Sequence, residues 1–276
     1  MTARGAPGHA LFMHDILAQL YHLGLHAARI PGWRPPAAAL AVALAFRLLA
    51  PRRAAFGAAA ALLAGWLALV LPGPFSLSLP VARLPGLAVL LLAYAAAGNR
   101  LGRLAIPVLA VAAAWWLRGA PVSGAGIASV MPVFLGLFAA MAIARRIAAA
   151  DGGWAGIGAA LALALTVALP LSGGAMHWAR AALVPACAGV ALLGLADAVA
   201  VLQLGTILLA ALVVVSSDRG RFIPIDAAAA SPLLVWYLAP RLLPRLNRAG
   251  PALAGALAAV AGVGIIWGAT LLFAQR

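Results

Sequence analysis

A single acidic residue stands inside the longest apolar stretch of the chain. Residues 181–217 are almost entirely apolar, and Asp197 is the one charged side chain among them. A carboxylate within a membrane span is costly to insert, so such residues are usually retained for an ion, a proton or a partner. We therefore interpret Asp197 as a candidate proton- or cation-coupling group, with Gln203 or an arginine from a neighbouring loop as its partner.

The same stretch is too long for one crossing, which leaves a second interpretation of Asp197. At about 1.5 Å per residue, a helix over 181–217 would far exceed the hydrocarbon core of about 30 Å. Two spans joined at residues 194–197, or one span with a re-entrant piece, would account for the length. With a joint there, Asp197 would lie in a tight turn and be solvated.

A second group of polar residues follows this stretch. In the loop at 216–226, Arg219 and Arg221 lie beside serine hydroxyls, a combination that suits a phosphate such as a lipid headgroup or polyprenyl phosphate. Asp218 and Asp226 could hold a divalent cation together with that phosphate. The alternative is an ordinary interfacial loop whose arginines only set the orientation of the chain.

Two histidines near the N-terminus have the spacing of metal ligands. His22 and His26 stand four residues apart, which places both imidazoles on one face of a helix. The sequence offers no convincing third ligand, and the lone Cys187 cannot form an internal disulfide or a cysteine-based metal site. We therefore expect no metal and no cofactor, and interpret the histidines as part of a polar stripe.

That polar stripe belongs to the first element of the chain. Between residues 9 and 30, polar side chains recur every three or four positions and apolar ones occupy the other face, which predicts a helix lying in the membrane interface. The first ten residues lack the layout of a cleavable signal, so we expect the N-terminus to be retained. We assign residues 1–35 to this helix and its linker, and residues 36–276 to a transmembrane domain.

Apolar segments fill that second part and predict about eight to ten spans. Several are shorter than the ~20 residues of a perpendicular span, which indicates tilted, half-length or kinked helices. The segments lie at 36–50, 54–71, 85–97, 104–117, 127–144, 154–171, the two halves of 181–217, 228–243 and 251–274. The predicted fold is an all-α polytopic transmembrane helix bundle.

Prolines and tryptophans in these segments give two further expectations. Pro107, Pro132 and Pro185 each remove a backbone donor within a segment and are expected to kink it. Most tryptophans lie toward segment ends, where an aromatic belt at the membrane surface would place them. They are Trp66, Trp115, Trp116, Trp154, Trp178, Trp236 and Trp267.

The charge of the chain comes from arginine. The formal net charge is +14 although only 9% of the residues are charged, and the sequence contains no lysine and no glutamate. Because the arginines stand singly or in pairs between apolar segments, they indicate membrane orientation and not a nucleic-acid partner. The alanine- and arginine-rich composition is typical of a GC-rich bacterium, so we expect a protein of the bacterial cytoplasmic (inner) membrane.

Paired arginines predict which loops face the cytoplasm. The paired loops hold Arg52 and Arg53, Arg100 and Arg103, and Arg145 and Arg146, whereas the alternate loops hold Arg83, Arg118 and Arg180. If 181–217 crosses twice, the three arginines at 241–248 are also cytoplasmic; if it crosses once, the loop at 218–221 is cytoplasmic instead. The three-arginine loop favours two crossings.

Three functions fit this sequence. The first is a carrier or permease for a small solute or lipid, with Asp197 as the coupling group. The second is a non-catalytic subunit or assembly factor of a larger membrane complex, which short hydrophilic loops suit. The third is a membrane-embedded transferase acting on a lipid or polyprenyl phosphate through Arg219 and Arg221. The lipid bilayer is the expected partner, other membrane subunits follow from the second function, and enzymatic activity and oligomeric state are left open.

Overall fold

The computed structural model describes residues 33–71, 79–150, 176–192 and 195–216, and these residues are helical with no strand among them. The α-helices are α1 (Arg34–Leu49), α2 (Ala54–Val70), α3 (Leu84–Leu101), α4 (Ala105–Leu117), α5 (Gly124–Ala128), α6 (Val130–Ala150), α7 (Met176–Ala191) and α8 (Ala196–Ser216). Short 3₁₀ helices at Pro51–Arg53, Pro80–Arg83 and Gly102–Leu104 lead into α2, α3 and α4.

Within the described ranges, four helical segments are long and apolar enough to cross a membrane. They are Pro51–Val70, Pro80–Ala97, Gly124–Arg145 and Asp197–Ser216. The helices follow the predicted apolar segments closely, so the all-helical fold is confirmed for the described residues. The predicted interfacial helix at 9–30, the segment at 154–171 and the segments after 217 lie outside the described part of the chain.

The long apolar stretch at 181–217 is divided where the sequence predicts. Helix α7 ends at Ala191 and α8 begins at Ala196, so the stretch forms two helices. Arg47, near the C-terminal end of α1, donates from Nη1 to the carbonyl oxygen of Ala191 at 2.7 Å. This contact places the C-terminal ends of α1 and α7 at the same end of the structure, from which α8 starts back in the opposite direction.

Helix α2 contacts α1, α3, α7 and α8, and small residues allow the close approach. A Cβ at Gly65 would lie 2.5 Å from Cγ1 of Val184 in α7 and 3.0 Å from Cβ of Ala39 in α1. A Cβ at Gly205 of α8 would lie 2.5 Å from Cδ1 of Leu62 in α2. A side chain at Gly65 would therefore push α7 or α1 away from α2, whereas one at Gly205 would require the Leu62 side chain to move.

A buried tryptophan satisfies a carbonyl that a proline leaves without its helical donor. Pro185 is the tenth residue of α7, and its missing N–H would otherwise bond the carbonyl oxygen of Ala181 four residues earlier. Trp66 of α2 donates from Nε1 to that oxygen at 3.2 Å. Both Trp66 and Ala181 are fully buried, and a carbonyl buried among apolar groups without a donor is destabilising. The hydrogen bond therefore fixes α2 against α7 at the proline.

Two expectations from the sequence are wrong in detail. Trp66 does not belong to an aromatic belt, because it is fully buried, whereas Trp115 is 43% exposed and fits the belt. Pro107 and Pro132 are third residues of α4 and α6, where the N–H groups have no intrahelical acceptor, so neither proline interrupts a ladder of hydrogen bonds. Among the prolines of the described helices, only Pro185 lies beyond the first turn of its helix.

The paired arginines lie at one end of the structure, as the sequence predicts. Leu62 of α2 and Leu91 of α3 both lie within 4 Å of a Cβ placed at Gly205, which sets them at one level. Arg53 lies nine residues before Leu62, and Arg100 lies nine residues after Leu91, which is about 13 Å along each helix. Because the two helices are antiparallel, both arginines lie on the same side of that level. We call this end, with Arg47, Arg52, Arg53, Arg100, Arg103 and Arg145, the arginine-rich end.

The single arginines occupy the opposite end. Arg83 at the start of α3 donates from Nη1 to the carbonyl oxygen of Leu117 at the end of α4, so these two helix termini lie together. Arg118 donates from Nε to Oγ of Ser129, which precedes α6. Arg180 adjoins Ala181, the acceptor of Trp66 near the C-terminal end of α2. The alternation of paired and single arginines along the chain therefore separates them in space.

Replacing Trp66 by phenylalanine tests the hydrogen bond to Ala181. Trp66→Phe leaves the carbonyl without its donor and should reduce stability by about 1–3 kcal/mol. In a Pro185→Ala background, residue 185 regains an N–H that can bond Ala181, so the same replacement should cost less. Apparent melting temperatures of the four variants in mild detergent complete the double-mutant cycle. An equal loss in both backgrounds would show that Trp66 acts through its volume and not through its N–H.

Candidate functional site

Asp197 lies in the first turn of α8, directly after the junction between α7 and α8, and its side chain is exposed. A carboxylate in this position is favoured by the partial positive charge of the helix N-terminus. The structure thus places Asp197 as the second residue of α8 and not in a tight turn, at the arginine-rich end and not at mid-span. Whether Asp197 couples a proton or a cation remains a prediction.

Gln203 lies in a different environment. Its side chain is only 4% exposed, in the interior of the packed helices. Six residues separate Gln203 from Asp197, which corresponds to about 9 Å along the helix and roughly 240° around it. The structure does not bring these two predicted site residues together: Asp197 faces the exterior at the helix end and Gln203 the interior.

Arg47 of α1 lies at the junction, and sequence reasoning did not single it out. Its guanidinium binds the carbonyl oxygen of Ala191, the last residue of α7, where a cation complements the negative end of the helix dipole. The junction thus has a cation at the C-terminal end of one helix and an anion, Asp197, at the N-terminal end of the next. A lone arginine three residues before the end of an apolar segment was the available signal in the sequence.

Thr206 is the second buried polar residue of α8, and sequence reasoning missed it. Its hydroxyl is 2% exposed and donates to the carbonyl oxygen of Leu202 at 2.7 Å, one turn earlier in the same helix. This bond satisfies the hydroxyl donor within α8. Gln203, the other polar side chain in the middle of α8, carries an amide with two donors and a carbonyl acceptor.

The remaining predicted site residues cannot be placed. Asp218, Arg219, Arg221 and Asp226 of the predicted phosphate loop lie outside the described residues, as do His22 and His26. The transferase hypothesis consequently stays a prediction from the sequence.

The surface of α4 carries an open groove of about 480 Å³. Its lining is apolar and consists of Pro107, Val108, Val111, Ala112 and Trp115. Such a lining suits acyl chains or an apolar helix and offers no polar group to orient a solute. We therefore place the candidate site at α8 and its junction with α7, not at this groove.

Comparison with known proteins identifies no relative: no family model, no curated protein and no solved structure matches the chain.

Cysteine labelling can test the two environments along α8. In a Cys187→Ala background, Asp197→Cys should react with a membrane-impermeant maleimide, and Gln203→Cys should react only after denaturation. Arg103→Cys, exposed at the same end, is the matched control and should react from the same side of sealed proteoliposomes as Asp197→Cys. Fast labelling of Gln203→Cys, or labelling of Asp197→Cys from the other side, would contradict the placement.

Proposed function

We propose that the described helices form part of a polytopic membrane bundle and that the protein is a carrier for a small polar solute. The burial of α8 supports its placement in the interior of that bundle. In the segment Asp197–Ser216, 67% of the most apolar window is buried, against 17% in Gly124–Arg145. Every residue from 201 to 209 is buried. An apolar helix enclosed on all sides is typical of the core of a large bundle.

The buried amide of Gln203 is the observation that carries this proposal. Polar residues within membrane helices are expensive, face the bundle interior and often mark solute or ion pathways. The amide has two donors and a carbonyl acceptor, so it can exchange hydrogen bonds with a polar solute. In the proposed carrier, Gln203 contacts the solute inside the bundle.

Asp197 is proposed as the coupling group at the entrance of the same helix. Its exposed position at the helix junction gives it access to protons or cations from the aqueous side, and the interruption between α7 and α8 allows the two helices to move separately. By the positive-inside rule, we assign the arginine-rich end to the cytoplasmic side of a bacterial membrane.

A flux assay tests the carrier proposal. The full-length protein is reconstituted into vesicles loaded with the pH-sensitive dye pyranine and challenged with panels of amino acids, sugars and quaternary amines. One class should produce a dye response that Asp197→Asn reduces at least tenfold and that Gln203→Leu also reduces. Thr206→Val is the matched control, because its hydroxyl donor is bonded within α8, and it should retain the flux. A wild-type protein that inserts correctly and moves none of these solutes would count against a proton-coupled carrier.

The exposed face of α6 supports the second candidate, a subunit of a larger membrane complex. Met131, Leu135 and Phe138 recur at intervals of three or four residues and are 58%, 56% and 38% exposed. Beside them, no atom of the described residues beyond the neighbouring backbone lies within 4 Å of a Cβ built at Gly136. A small residue among large apolar ones is a common contact point for a second transmembrane helix.

Native mass spectrometry distinguishes the second candidate from the first. After extraction from the host membrane in a mild detergent, a subunit should retain a stoichiometric partner protein, and Gly136→Leu should release it because the leucine fills the contact point. Gly124→Leu, at another exposed glycine without nearby atoms, is the control. A lone protomer or homo-oligomer would contradict the subunit hypothesis.

A further inference from the structure

We propose that the arginine-rich end is a binding surface for anionic phospholipids, with the guanidinium groups contacting lipid phosphates. The side chains of Arg52, Arg53, Arg100, Arg103 and Arg145 are all exposed at this end. Guanidinium groups form strong, often bidentate hydrogen bonds with phosphate oxygens, and the pairs at 52/53 and 100/103 allow two arginines to contact one headgroup. This inference does not depend on the carrier function.

The position of these arginines along the helices matches the depth of lipid headgroups. Arg53 and Arg100 lie about 13 Å from the level of Leu62 and Leu91, whereas half of a typical hydrocarbon core is about 15 Å. The length of an arginine side chain covers the remaining distance to the phosphates. If Leu62 and Leu91 lie near the centre of the bilayer, the guanidinium groups of Arg53 and Arg100 therefore reach one leaflet surface, and Arg52 and Arg103 adjoin them in the chain.

The two ends of the structure use arginine differently. At the opposite end, Arg83 and Arg118 are half-buried and bond Leu117 and Ser129 of the protein itself. The indole N–H of Trp116 also donates to the carbonyl oxygen of Arg83 at 2.9 Å, which holds this arginine in place. These two guanidinium groups bind the protein itself, as Arg47 does at the arginine-rich end, whereas the five arginines named above are exposed. Arg34, at the start of α1, is an exposed arginine at the opposite end.

Little negative charge offsets the arginine-rich end within the described residues. Asp197 is the single acidic residue of the described part of the chain, and it lies at this end against six exposed arginines, of which Arg47 binds the carbonyl oxygen of Ala191. A basic residue at an anionic membrane surface strengthens binding by about fivefold at moderate salt. Several acting together should give a clear preference for anionic over zwitterionic lipids.

Spin-labelled lipids measure this preference directly. The full-length protein is reconstituted into phosphatidylcholine vesicles containing a trace of spin-labelled phosphatidylglycerol or spin-labelled phosphatidylcholine, and the motionally restricted fraction of each is recorded. We expect the wild type to favour phosphatidylglycerol at least threefold. A variant with Arg52, Arg53, Arg100 and Arg103 all changed to glutamine should lose the preference, and the matched variant with lysine at the same four positions should keep most of it.

Two controls make each outcome decisive. Salt at about 1 M, where the Debye length is about 3 Å, should reduce the wild-type preference, and this measurement needs no variant to fold. No preference in the wild type, or an undiminished preference in the correctly inserted glutamine variant, would overturn the proposal. A preference abolished by inorganic phosphate, but not by chloride at equal ionic strength, would show a site for free phosphate in place of a lipid surface and would also overturn it.

Discussion

The relation of α2 to α7 depends on the hydrogen bond from the Trp66 indole to the carbonyl oxygen of Ala181. Pro185 cannot supply the donor that an α-helix normally provides to this carbonyl, and no water is available to a group enclosed by apolar side chains. The indole meets that need from a second helix. Gly65, next to Trp66, lets Val184 of α7 approach α2 at the same level. The carbonyl of Ala181, which lacks a donor from its own helix, and the absent side chain of Gly65 thus determine where α2 and α7 meet.

The arrangement of α7 has consequences for its successor. The C-terminal end of α7 is bound by Arg47 of α1, and after the junction α8 returns through the interior against α2, α6 and α3. The reversal leaves Asp197 exposed at the start of α8 and buries Gln203 two turns further on. A polar side chain enclosed in this way is retained only where the surrounding packing or a ligand satisfies it. The proposed solute pathway therefore begins at the junction and follows α8 inward.

The two ends of the structure differ in the number of arginines they expose. Six are exposed at the arginine-rich end, whereas at the other end Arg34 is exposed and Arg83, Arg118 and Arg180 are half-buried. A protein with this asymmetry has an electrostatic reason to adopt one orientation in a membrane whose leaflets carry different charge. The proposed entrance of the carrier, at Asp197, then lies on the side where anionic lipids surround it.

The sequence alone determined the positions of the helices, the break near residue 194 and the grouping of arginines at two ends. These features follow from local composition. The length of an apolar segment predicts a helix, and a segment much longer than one span must contain a break. Because successive spans run in opposite directions, the loops between them alternate between the two ends of the structure. Only the tertiary structure decided the contacts of Trp66, Arg47 and Gln203. Trp66 and Ala181 are 115 residues apart, and Arg47 and Ala191 are 144 apart. In so uniformly apolar a sequence, which face of a helix is buried depends on the neighbours it packs against, and no periodic pattern records their identity.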